Sequence, residues 1–218
     1  HHRRQPGGCG ERMKRGLLIA FEGIDGTGKS AQLPLLAEWL RGQGHTVVET
    51  REPTDGPYGR EIRTLYQDRT RVSPERELEL FVLDRRQHVT ECILPALEQG
   101  RIVLTDRYYF STAAYQGAGG SDPAAIFAAN AFAPEPDLVL LLTLPVAAGV
   151  ARIRDLRGET LNDFEQQEQL EKVAALFASF PHDCIVRIQA ARPVAAVQAA
   201  IREAVRPLLV HRGFPCAG

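Results

Sequence analysis

Apolar residues in this chain fall into short continuous runs, separated by longer stretches with helical spacing. Residues 16–22 (GLLIAFE) form one such run, closed by glycine on both sides, and predict a buried strand. Residues 29–43 place Leu33, Leu36, Ala37 and Leu40 on one helical face, and Gly44 ends that helix. The same reading predicts strands over 46–50, 101–105, 137–144 and 184–189. It predicts helices over 60–67, 75–99, 146–157, 164–180 and 194–210, the second of them bent near Pro95.

Strands alternating with helices, and strands that are apolar almost throughout, predict a five-stranded parallel sheet covered on both faces. The fold class is therefore α/β, a three-layer α/β/α arrangement. Ligands in such sheets bind outside the carboxyl ends of the strands. Residues 13–211 read as one domain without repeat or linker, 212–218 as a tail, and 1–12 as a tag remnant or disordered extension ahead of Met13, the only methionine.

Composition narrows the function classes. A length of 218 residues suits one domain with at most a small lid. A net charge of -1 gives no global attraction to nucleic acid or an anionic membrane, so phosphate binding must be local. No apolar run approaches the roughly 20 residues that span a bilayer, and no secretory leader is recognisable. Cys9, Cys92, Cys184 and Cys216 are scattered, without metal-ligand spacing, which suits a reduced cytoplasmic chain. Lys14, Lys29 and Lys172 are the only lysines among 26 basic residues, so a lone arginine carries little information here.

The strongest local signal is Gly23-Ile24-Asp25-Gly26-Thr27-Gly28-Lys29-Ser30, which fits the phosphate-loop pattern between a predicted strand and a predicted helix. Its glycines let backbone N–H groups turn toward phosphate oxygens, and the helix N-terminus adds partial positive charge. Lys29 is placed to reach the β- and γ-phosphates and Ser30 to ligate Mg²⁺, so ATP and Mg²⁺ are the expected cofactors. Asp106 and Arg107 stand at the tip of the third strand, where an aspartate can hold the metal and an arginine can clamp a second phosphate. The same two residues also suit a helix cap and its ion pair. No Asp-Glu pair follows that strand and no NKxD-like reader of guanine is present, which counts against a switch GTPase or a motor.

Five stretches together carry a resemblance: MKRGLLIAFEGIDGTGKS (13–30), TREP (50–53), LFVLDRRQHV (80–89), DRYYFSTAAYQG (106–117) and PDLVLLL (136–142). In this order they resemble the thymidylate kinase family of P-loop nucleoside monophosphate kinases, over most of 13–209. The resemblance implies an enzyme that phosphorylates dTMP with ATP, a small helical lid at about 150–165, and a homodimer. It implies that Phe81 stacks on the acceptor base and Arg85, four residues on, meets a thymine carbonyl. Arg51 and Arg107 would hold the acceptor phosphate, with Arg63 a weaker candidate. Tyr115 and Gln116 would line the sugar and base, and Asp25 the sugar or phosphate.

Three positions depart from the family pattern. Gly26 stands where some members carry a loop arginine, so the lid must supply that charge, from Arg152 or Arg157. Asp163 occupies a position that is usually basic, and Thr143 one that is often aspartate. Two alternatives follow: a kinase for another nucleoside monophosphate or a deoxynucleoside, or a nucleotide-binding regulator without turnover.

Overall fold

The computed structural model describes residues 14–68, 72–157 and 163–217, without the side chains at 156, 157 and 163–165. Its strands are β1 Leu17–Glu22, β2 Val47–Arg51, β3 Ile102–Asp106, β4 Leu138–Thr143 and β5 Ile185–Gln189. Its helices are α1 Lys29–Gly42, α2 Pro57–Leu65, α3 Pro74–His88, α4 Leu94–Glu98, α5 Tyr109–Ala118, α6 Pro123–Ala129, α7 Val146–Arg157, α8 Asp163–Ser179 and α9 Val194–His211. The strands form one sheet in the order β2-β3-β1-β4-β5, and every pairing is parallel.

β1 sits at the centre, and its side-chain alternation divides the core. Leu17, Ile19 and Phe21 join Leu33, Leu36 and Leu40 of α1 and Val197, Ile201 and Val205 of α9. Leu18 and Ala20 face the opposite way, into a cluster with Phe110 and Ala113 of α5 and Val173 and Phe177 of α8. All five of these β1 side chains are fully buried. Each large one contributes about 1.5–3 kcal/mol by leaving water. The period of two thus buries both faces, as the apolar run requires.

Three elements differ from the expectations. α2 begins at Pro57 rather than residue 60, because Gly56 is extended and proline at the first helical position is already set to helical φ. The helix expected over 75–99 is interrupted rather than simply bent: α3 leads through a π turn, Val89–Ile93, into α4. There the Leu94 N–H donates to the Val89 carbonyl, five residues back, just ahead of Pro95, which has no N–H to offer. α5 and α6 were not expected at all. α5 is buried on nearly every side, from Tyr109 to Ala114 and at Gln116, so it shows no amphipathic stripe.

The parallel register brings the carboxyl ends together. Asp106 of β3 lies beside Phe21 of β1 and Arg51 of β2. The loops after β1, β2 and β3 therefore share one edge of the sheet, and that edge carries the candidate chemistry. The tail beyond α9 returns to the body: Phe214 packs on the α1–α9 cluster, and the Pro215 carbonyl lies 2.6 Å from His45 Nε2. The expected extension at 1–12 lies outside the described residues.

Candidate active site

The phosphate loop joins β1 to α1 with positive φ at Gly23 (134°), Gly26 (86°) and Gly28 (91°). Gly26 is held as closely as Gly23. A Cβ there would come within 2.5 Å of the Gly149 carbonyl of α7, so the loop and α7 touch through two residues without side chains. Arg152 spans the same joint, donating to the Gly26 carbonyl at 3.1 Å and to the Ala190 carbonyl at 3.2 Å. Gly26→Ala is expected to cost about 2 kcal/mol or more, from left-handed backbone strain plus the clash. A fall in the unfolding midpoint with a raised KM for ATP checks this; a midpoint equal to that of wild type would contradict it.

Lys29 is buried and curls over the loop. Its Nζ donates to the carbonyls of Gly23 (2.9 Å) and Ile24 (3.0 Å) and lies 3.4 Å from Thr27 Oγ1. Burial, with the Arg107 charge nearby, pushes its pKa down to about 7. A triphosphate in the loop would offer this ammonium a further anionic partner. Thr27 hydrogen-bonds the Ile24 carbonyl at 2.9 Å and so shapes the turn rather than facing outward.

Ser30 and Asp106 line one open cavity of about 380 Å³, together with Arg51, Thr54 and Asp55. Asp106 Oδ1 is buried without a hydrogen-bond partner among the described residues. A carboxylate oxygen left unsatisfied beside a serine hydroxyl and the phosphate loop fits Mg²⁺, which prefers hard oxygen ligands and takes few of them from protein. Arg51 belongs to this cavity. It is 62% exposed and ion-paired to Asp55 at 3.0 Å, a carboxylate it shares with Arg63 at 3.1 Å. Arg107 lines the second cavity described below, and Arg51 stands beside its neighbour in sequence, Asp106, across the β2–β3 pair. Arg63 is additionally tied to the Pro53 carbonyl.

A second cavity of about 580 Å³ is lined by Asp25, Phe81, Arg85, Arg107, Tyr115 and Gln116, among others. Six of the expected residues thus meet in one space. Arg107 joins it to the phosphate loop: Nη1 donates to the Gly23 carbonyl (3.2 Å) and Ser111 Oγ (2.8 Å), and Nη2 to Asp25 Oδ1 (2.6 Å). Its φ of 76° is the only positive value at a non-glycine among the described residues, a strained backbone of the kind that collects at functional sites. The Tyr115 hydroxyl accepts from the Asp25 N–H at 3.3 Å. Gln116 donates to the Pro74 carbonyl, and its buried Oε1 has no partner among the described residues. Ile153 of α7 and Gln166, Gln169 and Leu170 of α8 complete the wall. Of the expected lid at about 150–165, the side chains of Arg157 and Asp163, and residues 158–162 altogether, lie outside the described residues.

Several polar groups that hold this site in shape were not anticipated. Glu22 is fully buried and accepts from Tyr108 N (3.2 Å), Ser111 N (2.6 Å) and Ser111 Oγ (2.6 Å). α5 has no side-chain cap of its own, so a residue from β1 caps it across the fold. Burial pushes the Glu22 carboxyl up to about 7, against the pull of Ser111 and Arg107. Glu52, Thr112 and Asn130 accept from Arg85 in the same way, and His88 holds Glu52. A lone charge ending an apolar strand was the available sign for Glu22; nothing local marked Asn130.

A phosphate loop and a base-sized cavity that share one arginine define a P-loop nucleoside monophosphate kinase. The comparisons with known proteins are specific. The thymidylate kinase family model matches residues 21–201. The thymidylate kinase of Desulfotalea psychrophila is 53% identical over 194 residues, 89% of this chain and 96% of the relative. That of Xanthomonas campestris pv. campestris is 50% identical over 164 residues, 75% of this chain and 71% of the relative. A probable thymidylate kinase of Pyrococcus horikoshii is 45% identical over 163 residues, 72% and 78% of the two chains. This chain belongs to the thymidylate kinase family.

Proposed function

We infer that this protein is a thymidylate kinase, converting ATP and dTMP to ADP and dTDP. Family membership supports the activity, and the observation that carries it in this chain is Arg107 bridging the phosphate loop to the second cavity. In this reading an oxygen of the acceptor phosphate attacks the γ-phosphorus, the bond to the β–γ bridging oxygen breaks, and ADP leaves. No protein nucleophile is needed, so the residues act by placing charge and holding two nucleotides in line.

The roles assigned to residues are these. The N–H groups of 23–30 and Lys29 hold the donor phosphates, and Arg107 holds the acceptor phosphate against them. Arg152, now on the Gly26 carbonyl, is the lid arginine within reach of the loop. Phe81 stacks on the base, Arg85 and Gln116 meet its polar edge, and Tyr115 stands against the sugar. Mg²⁺, when bound, neutralises charge on the β- and γ-phosphates. Ser30 and Asp106 would hold it.

Thr143 does not disturb this arrangement, since its Oγ1 donates to the Ile188 carbonyl at 3.3 Å. A panel of nucleoside monophosphates with ATP and Mg²⁺, read by ADP release, tests the function. dTMP is expected to give the highest kcat/KM. A higher value for dUMP, dGMP or CMP would replace the substrate, and tight binding of both nucleotides without ADP release would replace the enzyme by a regulator.

The family resemblance also supports a homodimer, which sedimentation velocity at assay concentration tests. A cytoplasmic setting is supported by free thiols at Cys92, Cys184 and Cys216. No helix among the described residues is long and apolar enough to cross a membrane.

A further inference from the structure

Arg85 is only 1% exposed yet lines the acceptor cavity. Its Nε and Nη2 donate to Glu52 Oε1 at 3.0 and 2.8 Å. Nη2 also donates to Thr112 Oγ1 at 3.0 Å, and Nη1 to Asn130 Oδ1 at 2.6 Å. Four of the five guanidinium N–H groups are thereby engaged, leaving one on Nη1 without a protein partner among the described residues. The anchors are themselves held. Glu52 Oε2 lies 2.8 Å from His88 Nδ1, His88 Nε2 lies 2.7 Å from Thr50 Oγ1, and Asn130 Nδ2 donates to the Ile126 carbonyl at 2.8 Å. The Asn130 amide is oriented by that last bond, so its oxygen faces Arg85.

A guanidinium offers donors only. Whatever meets the remaining N–H must accept a hydrogen bond. A base carbonyl does so, whereas an exocyclic amino group directs its own hydrogens at the donor and leaves both groups unpaired in a closed site. That penalty lasts only while the guanidinium cannot turn aside. Turning aside here breaks four hydrogen bonds, two of them to a carboxylate that a second partner, His88, holds in place.

We propose that Glu52, His88 and Asn130 are positioning residues whose grip on Arg85 makes the enzyme select a carbonyl over an amino group on the acceptor base. The proposal rests on the thymidylate kinase reading above. Neither His88 nor Asn130 lines the cavity, so their influence on base choice passes through Arg85.

The test is a competition between dTMP and 5-methyl-dCMP, which share sugar, phosphate and methyl group but differ in oxygen against amino at carbon 4 and in the hydrogen that thymine carries on N3. That second difference is the same for every variant and cancels when their ratios are compared with that of wild type. Wild type is compared with His88→Leu, His88→Asn and Asn130→Leu. The asparagine Nδ2 stands close to where the imidazole Nδ1 stood, so His88→Asn keeps a donor for Glu52 and His88→Leu removes it. The ratio of the two kcat/KM values is independent of how much of a variant is folded.

That ratio is expected to fall about tenfold or more in His88→Leu and Asn130→Leu, through a raised KM for dTMP. The KM for ATP is expected to stay within about twofold, and His88→Asn to keep the ratio within about threefold of wild type. An active wild type whose leucine variants keep its ratio overturns the proposal alone. So does a His88→Asn variant as indiscriminate as His88→Leu, since the ring rather than its hydrogen bond would then matter. A wild type inactive on dTMP overturns the functional reading, and this proposal with it.

Discussion

Arg107→Ala is expected to lower kcat/KM for dTMP by about a hundredfold or more while changing the KM for ATP by less than about fivefold. The guanidinium is fixed from both sides, by the Gly23 carbonyl and Ser111 Oγ on Nη1 and by Asp25 on Nη2, and it faces the acceptor cavity. It lies 5.2 Å from the centre of the Tyr115 ring, which limits its swing. Lysine at this position is expected to restore only part of the loss, because a point charge cannot span two acceptors as a planar fork does. The backbone adds a second readout. With φ at 76°, alanine keeps the strain and glycine relieves it. Arg107→Gly should therefore unfold at a higher temperature than Arg107→Ala while being equally poor with dTMP. Steady-state kinetics with each nucleotide varied in turn, and thermal unfolding of both variants, check this. Equal losses for ATP and dTMP would contradict the assignment of Arg107 to the acceptor.

Glu52→Ala is expected to cost the fold about 3–5 kcal/mol, because it leaves Arg85 and His88 buried without their common anion. For a chain of this size that lowers the unfolding midpoint by on the order of 10 °C. The loss depends on pH in a direction set by His88. Burial by itself lowers its pKa, but contacts with Cys92 and Glu52 outweigh that and raise it to about 9 from 6.5. A raised folded-state pKa contributes stability that is complete below about pH 6.5 and fades as pH rises through about 9. The Glu52 pKa is held below its ordinary value, since Arg85 and His88 outweigh its burial, so its own contribution is lost only on the acid side. The midpoint difference between wild type and Glu52→Ala should thus narrow from pH 6.5 toward pH 9. Glu22 and Lys29 titrate in both proteins and cancel from that difference. A constant gap across this range would mean that His88 is neutral in the native state.

The phosphate loop was legible because its geometry is local. Eight consecutive residues between a strand and a helix hold the glycines, Lys29 and Ser30, and no distant contact is needed to make them converge. Phe81 and Arg85 were named by the family resemblance, and four residues along a helix only allow two side chains to project together, as both do into the second cavity. α5 was not, because a helix buried on almost every side carries no polar stripe to mark its period. Arg51 and Arg107 could not be separated either. Both stand at strand ends, in a chain where arginine is the usual cation, and only the folded chain shows Arg107 on Ser111 of α5 and Arg51 beside Asp55.

What the chain itself determined is the order of the strands, the parallel sheet and the phosphate loop, all of which depend on residues adjacent in sequence or on simple periods of burial. What the tertiary structure decided is the acceptor site. Arg85 meets Glu52, 33 positions before it, and Asn130, 45 positions after it, while Glu22 caps a helix 89 positions on at Ser111. No period or spacing encodes such meetings. They arise because a parallel register stacks the carboxyl ends of β1, β2 and β3 side by side, and because charges buried there must find partners among whichever residues the fold delivers.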